Sequence, residues 1–246
     1  MTAAKIHCQK SSGKLLEAAG DDDVARCKAY LDSGADINYM DGSGWTPLIA
    51  AARNQSRDAC SFLVSKGAHP DLIGTSGLTA LHWATNHRSS KISEIILTGG
   101  ANPNVRDKHG ATPLNHAVEW GKEKVCKLLL THGALVSAHD NRDWSSLHNA
   151  AMRGRVQIGQ LLLSYDAMID AKDALGSTPL SFALSNGHTE FCLLLLEGGA
   201  NVEHVNTIIN ETQYARNFPR CRDAISAFLA RRTARDAALE SITSKP

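Results

Sequence analysis

Asp107-Lys108-His109-Gly110-Ala111-Thr112-Pro113-Leu114-Asn115-His116-Ala117, continued by Val125-Cys126-Lys127-Leu128-Leu129-Leu130-Thr131-His132-Gly133-Ala134, is the stretch that decides the fold. Thr112 carries the side-chain oxygen that a helix N-cap needs. Pro113 suits the first helical position because its missing N–H would have had no intrahelical partner. Farther on, Val125, Leu128 and Leu129 recur at helical spacing, and Gly133 supplies the left-handed residue that closes a helix C-terminus. Gly121 marks a tight turn between the two. The spacing therefore predicts turn, short helix, reverse turn, longer helix and loop, a unit in which neither helix can bury its apolar face alone.

The unit recurs every 33 residues. Thr112 has counterparts at Thr46, Thr79, Ser145 and Thr178, and Leu114 at Leu48, Leu81, Leu147 and Leu180. An alanine column is unbroken through Ala18, Ala51, Ala84, Ala117, Ala150 and Ala183. A glycine column runs Gly34, Gly67, Gly100, Gly133 and Gly199, interrupted by Asp166. The pattern resembles the ankyrin repeat, whose T-P-L-H-x-A signature is matched by Thr46-Pro47-Leu48 and Thr112-Pro113-Leu114. With one change it is also matched by Thr79-Ala80-Leu81-His82-Trp83-Ala84.

The resemblance covers residues 12–229 and implies an all-α ankyrin-repeat solenoid with two antiparallel helices per unit. It implies five full repeats beginning at Asp41, Gly74, Asp107, Asp140 and Asp173, with capping units over 12–40 and 206–229. Because each unit contacts only its neighbours, one continuous array is expected. Residues 1–11 are polar and aperiodic and are expected to be disordered; residues 230–246 should form a helix or fray. Gln55 and Arg88 stand where other repeats have a reverse-turn glycine. The expectation there is backbone strain, relieved if Asn54 or Asn86 takes the left-handed conformation. The repeat from Asp140, with Ser145-Ser146 for Thr-Pro and Asp166 for glycine, should be the least rigid.

Composition excludes several functions. A net charge of +1 from 26 basic and 25 acidic residues leaves no electrostatic footprint for nucleic acid. No window has the apolar length to cross a bilayer, and Met1 to Lys14 lacks the hydrophobic core of a secretory signal, so a cytoplasmic or nuclear location is expected. Cys27, Cys60, Cys126 and Cys192 lie in one 33-residue column, whose gaps are filled by Ser93 and Gly159. Stacked helices place such positions ~8–10 Å apart, too far for a disulfide, so these cysteines read as small core residues. His82 and His148 read as ties at helix starts. His87, His109 and His116 could approach one another, but no carboxylate or cysteine completes a ligand set. Nucleophile–base pairs, phosphate loops and H-E-x-x-H are all missing from the sequence. No catalytic residue, cofactor or metal is expected.

The resemblance implies protein recognition, with a partner lying across the concave side formed by turn tips and first helices. The positions it points to are Trp45, His87, His109, Trp120, Arg142, Trp144, Met152 and Arg153. Trp120, Trp144, Met152 and Arg153 form the expected hot spot, with His109 and Arg142 at its rim. Trp83, one place after His82, is expected instead to shield the core. Such a chain could be a monomeric scaffold, a regulator of the proteasome or of a transcription factor, or a pathogen effector. It could also be the substrate of an asparaginyl hydroxylase, modified at Asn104 or Asn38.

Overall fold

A computed structural model describes residues 3–87, 89–202 and 219–243, with side chains described over 9–87, 89–202 and 222–235. The described residues contain thirteen α-helices and no strand. They are α1 (Ala3–Gly20), α2 (Val24–Asp32), α3 (Pro47–Asn54), α4 (Arg57–Ser65), α5 (Ala80–Thr85), α6 (Lys91–Thr98) and α7 (Pro113–Glu119). There follow α8 (Glu123–Thr131), α9 (Ser146–Arg153), α10 (Val156–Ser164), α11 (Pro179–Ser185), α12 (Thr189–Glu197) and α13 (Pro219–Thr243). None of them is long and apolar enough to cross a membrane. The chain divides into two compact units, residues 1–141 and 142–246, where one array was expected. The boundary falls in the turn that opens the most deviant repeat.

The helix starts follow from their caps. Thr46 Oγ1 accepts the Ile49 N–H at 3.2 Å, and Thr79, Thr112, Ser145 and Thr178 each cap the following helix in the same way. At four of these starts the third helical residue reaches back, so that His82, Asn115, His148 and Ser181 complete reciprocal capping boxes. The Leu column from Leu15 to Leu180 and the Ala column from Ala18 to Ala183 are at most 1% exposed throughout. Burying a leucine contributes roughly 2 kcal/mol, and alanine's small size lets neighbouring first helices approach closely.

Two expectations are corrected. The N-terminal segment is helical from Ala3 rather than disordered: α1 runs unbroken into the first cap, where Ser12 Oγ accepts the Asp36 N–H at 2.9 Å. Ala3, Ala4, Lys5, Gln9 and Lys10 are favourable helix formers, which periodicity does not register. At the other end, α13 passes through 229 and 230 without a break, so no boundary between cap and tail falls there. Most of the expected 206–229 cap, Ala215 and Phe218 included, lies outside the described residues.

The strain expected at the reverse turn after α3 is present, without the relief that Asn54 could have given. Gln55 itself takes φ 66°, while Asn54 remains in α3; Asn86 ends α5 at φ −78°, and Arg88 lies outside the described residues. The strain therefore sits on a side chain with no local hydrogen bond to offset it. Gln55→Gly is expected to raise stability by about 0.5–1 kcal/mol, read as a higher urea midpoint with unchanged slope. Asp143 and Asp166 take φ 59° and 62° at positions where other repeats have glycine. Aspartate tolerates that region better than most residues.

Cys27, Cys60, Cys126 and Cys192 are buried and free. Burial pushes the thiol of Cys27 up to about 11 and those of Cys60 and Cys126 to about 12. Cys60, Cys126 and Cys192 should therefore react with a thiol reagent only slowly until denaturant is added, as followed by intact mass. Fast native labelling of all three would contradict the packing.

Candidate functional site

The turn tips are built by aspartate. Asp41 Oδ1 accepts the N–H groups of Ser43 and Trp45 at 2.9 and 2.8 Å, and Asp107 and Asp173 do the same for residues two and four places on. Each tip therefore presents the fourth residue after its aspartate at a fixed angle. In two repeats that residue is tryptophan.

In the unit of residues 1–141, Trp45 is half-buried, and its ring lies 5.4 Å from that of Trp83 on α5, tilted by 34°. The Arg53 guanidinium stands 4.7 Å from the Trp45 centroid and 5.8 Å from that of Trp83. In the unit of residues 142–246, Trp144 packs edge-on against Phe182 of α11 at 4.7 Å and donates Nε1–H to Asp173 Oδ2 at 3.2 Å. Arg142 lies 4.0 Å over the Trp144 ring. In both units the tip indole meets an aromatic residue 38 positions later and is capped by arginine. Such cation–π contacts contribute about 0.5–1 kcal/mol at exposed sites and hold the guanidinium in place.

The remaining candidates are placed as follows. Trp120, at the end of α7, is 51% exposed, and His109 is exposed at its tip. Arg153 is exposed at the end of α9 and Met152 is half-buried beside it. His87 is half-buried, and its Nε2 lies 2.5 Å from the Ala52 carbonyl oxygen, so it braces the preceding repeat. His188 does the same at Met152 O, 3.0 Å away. Asn38 and Asn104 are also ties. Asn38 Oδ1 accepts the His69 N–H at 2.8 Å, while Asn104 accepts from Leu135 N at 2.8 Å and donates to Gly133 O at 3.0 Å.

His116 meets neither His87 nor His109. Its Nε2 donates to Asp107 Oδ2 at 2.8 Å, and its ring stands edge-on to His82 at 5.3 Å. Burial, with His116 adding to it, lowers the His82 pKa to about 4, so its Nδ1 accepts from Thr79 N and its Nε2–H donates to Ala111 O. Burial alone would raise the pKa of Asp107. The hydrogen bonds from His116, Ala111 N and His109 N outweigh it and hold that carboxyl below its ordinary value. The set contains no nucleophile, and among the described residues no three His, Cys, Asp or Glu side chains are placed to hold a metal ion.

Of the two aromatic residues that meet the tip indoles, Phe182 is not singled out by the sequence reading and Trp83 is expected there only to shield the core. The signal was present, since both occupy the column of Ala50, His116 and Asn149, on the side of the first helix that meets the preceding tip. Leu175, at the tip that opens with Asp173, is 90% exposed, more than any other large apolar residue described.

No curated protein matches this chain. The family model for ankyrin repeats (3 copies) matches residues 15–107, 73–140 and 134–206. With the periodic caps and paired helices described above, these matches place most of the sequence within one family: the chain belongs to the ankyrin repeat family.

Proposed function

We propose that this chain is a non-enzymatic binding module that holds a partner protein on the face formed by its turn tips and first helices, the concave side in this family. Ankyrin repeats generally mediate protein–protein interaction. The observation that carries the reading here is Trp120, half exposed, whose indole has no ring or hydrogen-bond partner among the described residues. Indole in water stabilises nothing, whereas tryptophan and arginine dominate interface energetics. His109 belongs to the same unit; Arg142, Trp144, Met152, Arg153 and Leu175 form the corresponding surface of residues 142–246. Trp45 and Trp144 contribute through the arginines they hold as well as through their own edges.

Trp120→Ala separates binding from folding because Trp120 packs on so little. Recovery of crosslinked partner from the native source should fall sharply, corresponding to ~2 kcal/mol or about 30-fold in Kd, with an unchanged melting temperature. Undiminished recovery would defeat the assignment, and so would a loss that tracks a lower melting temperature.

A further inference from the structure

The unit of residues 1–141 contains a groove of about 480 Å³ whose lining includes Glu17, Asp21, Asp41, Trp45, Ala50 and Arg53. Its origin is readable in one column of the first helices, which holds Glu17, Ala50, Trp83, His116, Asn149 and Phe182. Ala50 is the smallest of these. Where the column has histidine, His116 Nε2 donates to Oδ2 of its own tip aspartate, Asp107, at 2.8 Å. Asp41 is the same aspartate nine residues before Ala50. Its Oδ1 serves Ser43 N and Trp45 N as in the other tips, but its Oδ2 has no partner among the described residues. The neighbouring indole is short of a partner too. Trp144 gives its N–H to Asp173, but the corresponding residue for Trp45 is Gly74, and Trp45 Nε1 has no acceptor among the described residues.

Charge points the same way. Glu17, Asp21 and Asp41 face Arg53, which is spread over the two indoles, and Arg26, which lies 3.4 Å from Asp21 Oδ2. The carboxylates exceed the guanidinium groups by one. The C-terminal end of α1 at Gly20, with its partial negative charge, lines the groove as well.

We propose that this groove receives an arginine or lysine side chain of the partner. Its cationic N–H group takes the place against Asp41 Oδ2 that His116 holds against Asp107, with Glu17 as the second carboxylate. A main-chain carbonyl next to that residue is in position to accept from Trp45 Nε1. The proposal rests on the protein-binding reading above and narrows it to partners that present a basic residue to this end of the chain.

A phage-displayed peptide library selected on the full chain, followed by fluorescence anisotropy of the enriched peptides, tests it. Enriched peptides should share an arginine or lysine, and replacing it by citrulline or acetyl-lysine should weaken binding by about tenfold or more. Asp41→Asn keeps the Oδ1 acceptor of the turn and should weaken binding to a similar degree. Ala50→His gives Asp41 the internal partner that Asp107 has; it should abolish peptide binding while the melting temperature holds or rises. Enriched peptides without a basic residue, or peptides that bind Ala50→His as tightly as wild type, overturn the proposal and leave protein binding standing. A chain that enriches no peptide and captures no protein overturns both.

Discussion

Phe191→Ala lowers the unfolding free energy of the unit spanning residues 142–246 by about 3–5 kcal/mol, the expected cost of emptying a large aromatic site that cannot collapse. Phe191 is fully buried and is the largest such side chain among the described residues. It fits because residue 159 is glycine: a Cβ there would lie 2.6 Å from Phe191 Cε2 and 2.7 Å from Cζ. In the repeats before it the same column has cysteine or serine, and the residue 32 places on, where Phe191 stands relative to Gly159, is Ala59, Ile92, Val125 or Ile158. The pair should thus be non-additive. Gly159→Ala alone should cost about 1–3 kcal/mol through overpacking, and Phe191→Leu should relieve part of that cost in the double variant. Urea unfolding followed by circular dichroism measures all three. A cost below about 1 kcal/mol for Phe191→Ala would contradict the packing described.

Acid should destabilise the unit of residues 1–141 through His82. The folded chain keeps this imidazole neutral down to about pH 4, whereas the unfolded chain protonates it near its ordinary 6.5. Between those values the unfolded state binds more protons, so stability is full above the upper one and is lost as pH falls toward the lower. The loss is on the order of 3 kcal/mol. Asp107, held below its ordinary value, acts in the same direction but at lower pH, since its contribution is present above that value and lost on protonation. His82→Asn removes the titrating group and keeps the cap, because Asn115 Oδ1 already accepts the Thr112 N–H at 3.0 Å in the equivalent position. The variant should therefore lose markedly less stability than wild type on acidification. Superimposable pH profiles would show that His82 is not the group responsible.

The helices, their caps and the buried columns were legible because a 33-residue period repeats the same local chemistry: threonine before proline, leucine two places on, alanine facing alanine. What a period cannot show is how the side chains of one repeat fill space left by the next. Trp45 meeting Trp83, and Trp144 meeting Phe182, depend on the offset between a tip and the following first helix. Read along its own repeat, Trp83 looked like cover for the core. Along the cysteine column Gly159 is only a gap, and it is Phe191, from the next repeat, that fills it. His87 looked like a surface residue because its carbonyl partner, Ala52, lies a repeat away. The helix before residue 12 carries propensity without amphipathic periodicity, so the repeat pattern does not register it.

Site-specific photocrosslinking tests the central claim, that partners bind the tip-and-first-helix face, most directly. A photoreactive residue is placed in turn at His109, Glu119, Arg153 and Leu175, and at Ser61, Lys127, Gln160 and Glu190, exposed positions on the second helices α4, α8, α10 and α12. The account predicts covalent partner adducts from the first set and none above background from the second. Adducts of equal or greater yield from the second-helix positions would contradict it.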